Sequence, residues 1–213
     1  LTSHLSKLSN ADFRKAEQIV RDDILPTLPL PVFWSALQHL VLYRKSAFIT
    51  GLAALGQHAA TNSFTLITDE ARDFADAITE AYPDVTAKAI NITLPLLTTE
   101  RQIDELFILY NMEEMHHRVQ HLIKVESPLS YFVLFKTLKM LPEHSDIVRQ
   151  CCLHILHRCN DKAINMANIL RAYFDIENIS IPTSVNISTY ELSYLDRNYD
   201  TFLNILNGKR PVL

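Results

Sequence analysis

Apolar residues recur three and four positions apart along nearly the whole chain, the spacing of helices that bury one face. Phe13, Ala16, Ile19, Val20 and Ile24 mark a first helix over Asn10 to Leu25, with Ser9 as its N-cap. Pro26, Pro29 and Pro31 follow as a stiff connector that no helix interior tolerates. Val32 to Ala60 is a long apolar stretch without a carboxylate. It reads as the buried centre of the fold, as one helix or as two broken near Arg44 to Ser46.

Further on, the punctuation is by caps and prolines. Thr68 caps a helix to Tyr82, with Asp69 and Glu70 against the positive end of its dipole. Pro83 ends that helix or opens the next. Residues 84 to 94 fit two states, because Val85, Ile90, Ile92 and Thr93 also suit extended chain. Thr99-x-x-Gln102 is a capping box and predicts a helix running to Glu126. Ser127-Pro128 restarts the chain as N-cap and first helical position, and that helix stops near Leu141-Pro142. Ser145 opens a helix that carries the cysteines to Asn160. It then continues, or breaks at Asn160-Asp161 and resumes to Phe174. Residues 175 to 187 read as a loop with a short extended piece at Ile179 to Ile181. Ser188 and Glu191 form a second capping box, and Gly208 is a natural stop. The helix between them buries Tyr190, Tyr194, Leu195, Tyr199, Phe202 and Leu206.

The expected fold is all-α, a multi-helical bundle or a short stack of helical hairpins, with about eight to ten helices on short loops. It forms a single domain over residues 1–213, with 1–95 and 96–213 as possible lobes. A faint repeat-like echo links Phe33, Trp34, Leu37 and Leu40 to Tyr131, Phe132, Phe135 and Leu138. Shared apolar spacing between buried helices accounts for it more economically than a true repeat.

Composition narrows the function classes. Only 3 of 213 residues are glycine, too few for Gly-rich phosphate loops, dinucleotide-binding turns or hairpin-rich β folds. A net charge of −4 argues against a protein that coats nucleic acid, whose affinity comes from Lys and Arg on phosphates. No apolar run approaches the ~20 residues that a bilayer helix needs. The three cysteines are an odd set, read as free thiols of a reducing compartment and hence of a cytoplasmic protein. The sequence opens on Leu1 rather than Met, which leaves room for residues upstream, a removed signal peptide among them. Sequons at Asn91, Asn178 and Asn186 are too few to signal secretion.

One constellation carries candidate chemistry. In a continuous helix Tyr110, Glu114, His117 and His121 share a stripe, while Met112, Met115, Val119, Leu122 and Ile123 face the core. Glu114-x-x-His117 with His121 at i+4 is the spacing of metal ligands, for zinc or another divalent ion. A di-iron centre would need a second such motif and further glutamates on facing helices, which the chain lacks. A solvated polar stripe with an ordinary Glu–His helix pair explains the same residues. The second ligand-rich run, Cys151 to Cys159, splits on projection. Ile147, Val148, Cys151, Cys152, Ile155 and Cys159 fall on an apolar face, away from Gln150, His154 and His157.

No nucleophile elbow, phosphate loop or zinc-protease motif is present. Two functions follow from different classes. The first is a non-enzymatic helical interaction or scaffold module that meets a protein partner or a second copy of itself. The acidic face of Asp69, Glu70, Asp73, Asp76 and Glu80, or the C-terminal tyrosines, would offer the surface. The second is a helical protein that binds a metal or small ligand at Glu114, His117 and His121, with or without catalysis.

Overall fold

The computed structural model describes residues 69–81, 83–142, 144–182 and 185–209, together with Lys15, Gln18 and Ile19. The proline connector, the apolar stretch from Val32 to Ala60 and the first half of the repeat-like echo lie outside the described residues. Ile19, expected on a buried face of the first helix, is helical and half exposed. The fold is all-α, with no strand among the described residues. The chain divides into two compact units, Leu1–Glu113 and Glu114–Leu213.

The described part of the first unit holds α1 (Asp69–Ala81), α2 (Pro83–Thr93), a 3-10 turn (Leu94–Leu96) and α3 (Glu100–Leu109). Pro83 is the first residue of α2, where its missing N–H costs nothing. The ambiguous stretch 84–94 is therefore helical. Thr86, Ala89, Ile90, Thr93 and Leu94 are all buried, at i, i+3, i+4, i+7 and i+8. Thr93 reconciles its β-branched side chain with burial by donating its hydroxyl to the Ala89 carbonyl at 2.9 Å. The capping box at Thr99 and Gln102 forms as the sequence predicts.

The helix that it opens ends sooner than expected, at Leu109 rather than Glu126. Asn111 adopts φ +54°. Its N–H donates to the Ile108 carbonyl at 3.0 Å, and the Met112 N–H donates to the Phe107 carbonyl at 2.7 Å. This pair of bonds is a Schellman stop, with asparagine where glycine usually stands.

The second unit holds α4 (Met115–Leu122), α5 (Pro128–Lys139), α6 (Ser145–Leu156), α7 (Asp161–Phe174), α8 (Thr189–Leu192) and α9 (Tyr199–Leu206). Helix α5 is its centre, apolar nearly all round, with Tyr131, Leu134, Phe135 and Leu138 fully buried. It packs against α4 and α9, while α7 packs against α6 and α9. Aromatic edges join these layers. Phe202 meets Phe132 at 5.2 Å and Phe135 at 5.8 Å between ring centroids, and Phe135 meets Tyr173 at 4.7 Å.

The helix through the cysteines stops at Leu156, and the chain breaks where Asn160 and Asp161 offered the alternative. Asn160 caps α7, its side-chain oxygen accepting from the Ala163 N–H at 2.8 Å. Cys159 sits in the turn at φ +54° and is exposed, so it leaves the apolar face on which a continuous helix would have placed it. Residues 175–182 and 185–187 are non-helical, as expected, and Ile179 to Ile181 is not a strand. The second capping box forms at Ser188 and Glu191 but serves only the short α8. Asn198 caps a separate α9, its side chain accepting from the Thr201 N–H. Leu195, Phe202 and Leu206 are buried as predicted, whereas Tyr190 is 73% exposed.

Candidate functional site

The break after Leu109 separates Tyr110 from the rest of the candidate ligand stripe. Tyr110 belongs to the first unit and stays buried there; burial alone pushes its phenol well above the ordinary range. Glu114 is the N-cap of α4, in extended conformation, and makes no side-chain cap bond. Its carboxylate instead lies 3.3 Å from His117 Nδ1, with both groups more than half exposed. His121 sits in the last turn of α4 and is only 8% exposed. Burial lowers its pKa, and the charges of Lys124 and His117 lower it further. The three residues thus share one short helix in unlike settings: two meet water, and the third is inside. Among the described residues, no group of three His, Cys, Asp or Glu side chains is placed to hold a metal ion. The core-facing side of α4 follows the expected pattern, with Val119 and Leu122 buried.

The second ligand-rich run separates in space as its helical projection implied. Cys151 and Cys152 are buried, and His154 and His157 are exposed. Burial pushes both buried thiols up to about 12, so neither is a thiolate at neutral pH. Cys152 fits as a small hydrophobe, its sulfur 3.9 Å from the Ala167 carbonyl. All three cysteines are free thiols.

Sequence reasoning missed the surface between α4 and α6. These helices pack on α5 and α7 respectively, and a groove remains between them. It holds a cavity of about 280 Å³. Val119 and Ile123 of α4 and Ile147 and Cys151 of α6 give it apolar walls, with His116, Gln120, Gln150 and His154 along the rim. A second depression, about 520 Å³, shares His116 and Ile147 with the first. It is bounded further by Leu141, Pro142, His144 and the first turn of α6. His144 is held by its Nδ1 at 3.3 Å from the Leu141 carbonyl and by its ring against Phe174. The signal available in the sequence was His116, which projects away from the metal stripe and lines both cavities. Its partners on α6 are brought to it only by tertiary packing.

Arg158 ties the turn after α6 to the turn after α4. From the turn after α6 it donates to the carbonyls of Ile123 and Val125 and to the Tyr131 hydroxyl, the last at 2.8 Å. Its Nε lies 3.4 Å from Glu126. The guanidinium thus ties down the turn that follows α4, with a charge that suits the negative end of that helix. A second charged link joins Lys139 of α5 to Asp196 in the turn before α9. Burial pulls the Lys139 ammonium down, but its bonds to Asp196 and Tyr173 outweigh that and its pKa rises. Burial likewise raises the Asp196 carboxyl, and Lys139 outweighs this and lowers it.

The acidic face of α1 is solvated: Asp69, Asp73, Asp76 and Glu80 are exposed, and Asp76 accepts from Asn111 Nδ2 at 2.8 Å. The C-terminal tyrosines divide. Tyr199 docks on Phe132 at 5.2 Å, whereas Tyr190 and Tyr194 stack edge to face at 4.7 Å, with Tyr190 facing solvent. Among the described residues no helix is long and apolar enough to cross a membrane. Comparison with protein-family models, with curated proteins and with solved structures finds no match to this chain.

Proposed function

We propose that this protein is a non-enzymatic helical interaction module that presents a helical surface to a protein partner. The observation that carries the reading is the groove between α4 and α6. Apolar walls flanked by carboxamides and imidazoles suit a segment that inserts aliphatic or aromatic side chains and offers backbone carbonyls to the rim. The one cysteine in the wall of the groove is a buried thiol of raised pKa, unsuited to nucleophilic chemistry at neutral pH. Free thiols suit a reducing compartment, so we place the protein in the cytoplasm, and a net charge of −4 speaks against nucleic acid among its partners. Self-association through the same surface is the variant in which the partner is a second copy.

The test is affinity capture of the untagged full chain with identification of what it retains, repeated with Gln120→Arg and Gln150→Arg. Both residues are exposed rim positions, so the fold should survive. A specific protein, or a self-complex, retained by the wild type and lost from both variants is the expected result. A chain that retains no protein but carries a bound small molecule through purification would overturn the reading.

A further inference from the structure

The chain contains a single Asn-Gly step, Asn207–Gly208, at the end of α9. Asn-Gly is chemically exposed, because glycine carries no side chain to shield its backbone nitrogen from the neighbouring amide carbon. Here the step is built into the helix stop. Gly208 adopts φ +67°, its N–H donates to the Ile205 carbonyl at 2.9 Å, and the Lys209 N–H donates to the Asn204 carbonyl at 2.9 Å. These are the two bonds of a Schellman motif. Asn165 of α7 adds a third restraint, donating from Nδ2 to the Leu206 carbonyl at 3.0 Å from a buried position. Asn207 itself stands at φ −88° and ψ +7°, and it is exposed.

That geometry opposes cyclisation. The five-membered ring needs the Gly208 nitrogen on the same side of the Cα–C bond as the Asn207 Cβ. With ψ near zero the nitrogen eclipses the residue's own nitrogen, roughly 120° away by the tetrahedral offset at Cα. Reaching the Cβ side requires ψ to turn by that amount, which breaks the Schellman bonds.

We infer that Asn207 is a latent deamidation site that the C-terminal stop of α9 holds shut. When the end of α9 opens, the Gly208 nitrogen loses its proton and bonds to the Asn207 Cγ. The bond from Cγ to the side-chain nitrogen breaks, and that nitrogen leaves as ammonia with the proton returned. Water then opens the succinimide at either carbonyl, giving aspartate or isoaspartate, with no oxidant or reductant involved. Either product places a carboxylate at the negative end of the helix dipole, and isoaspartate also adds a backbone carbon. The change is one-way, so each opening that ends in chemistry leaves α9 with a weaker stop.

The experiment incubates the full chain at mildly alkaline pH, folded and in urea, and follows residue 207 by peptide mass spectrometry that separates aspartate from isoaspartate. Lys209→Pro removes one Schellman bond at an exposed position and leaves the Asn-Gly pair intact. Asn165→Leu removes the restraint from α7 as a second route. The folded wild type should react about tenfold or more slowly than the chain in urea, since only the open state reacts. Lys209→Pro should fall between the two. Equal rates in the folded and urea-unfolded wild type would overturn the inference, as would a folded Lys209→Pro that reacts no faster than the wild type.

Discussion

Two stretches of this chain can be read as one long helix each, the second with a break at Asn160-Asp161 as its alternative, and both break at a residue with φ +54°. In the first, Asn111 ends α3, and α4 restarts at Met115 behind Glu114, which gives its helix no side-chain cap bond. In the second, Cys159 lies in the turn after α6, and α7 restarts behind Asn160, which caps the Ala163 N–H. The second break was legible, because Asn-Asp is an N-cap followed by a first-turn acid. The first was not, because nothing in Asn-Met-Glu-Glu-Met announces a restart. What holds each break also differs. The first leans on a local Schellman motif, the second on Arg158 reaching across to the turn that follows α4.

The largest test of that contrast is Arg158→Ala. It strips the guanidinium from two carbonyls, the Tyr131 hydroxyl and Glu126, and should cost about 2–4 kcal/mol in urea unfolding. A loss below about 0.5 kcal/mol would mean that the turn holds itself.

Acid should weaken the restarted α4. The pKa of His121 is lowered in the folded state, so folding favours its neutral form. Its contribution is present above the ordinary histidine value of about 6.5 and is lost as pH falls through the lower folded value. Unfolding measured across this window should show wild type losing more stability than His121→Asn; parallel curves would remove His121 as the cause.

Asn160→Ala should cost about 1 kcal/mol, the worth of a good N-cap, whereas Glu114→Ala should change stability by less than about 0.5 kcal/mol. Equal losses would contradict the capping contrast. The smallest effects separate the two left-handed residues. Cys159→Gly should gain about 0.5–1 kcal/mol by relieving a Cβ in the left-handed region. Asn111→Gly should stay within about 0.5 kcal/mol, since asparagine tolerates that region and its bond to Asp76 is exposed. A chain in which both substitutions stabilise equally would show that side-chain identity at φ > 0 matters little here.

The glycine count explains why helix ends were harder to read than helix starts. Starts are announced by side chains that accept a backbone N–H, and Thr99, Ser127, Asn160 and Ser188 all do so. Stops are announced by glycine, and the described residues end only one helix on it, at Gly208. Asn111, Cys159 and Asp175 take the left-handed conformation in its place. The break at Asn111 takes Tyr110 out of the polar stripe read across residues 110 to 121, whereas Glu114, His117 and His121 stay together on α4.

The sequence by itself determined the all-α class, most helix starts and the separation of Cys151 and Cys152 from His154 and His157, because periodicity and capping are local. Tertiary structure decided the rest. It buried His121 while leaving Glu114 and His117 in water, exposed Tyr190 while docking Tyr199, and set His116 opposite Ile147 and His154 across a groove. Those outcomes depend on which helix faces lie against one another. A one-dimensional pattern records how apolar a face is, and packing chooses what it meets.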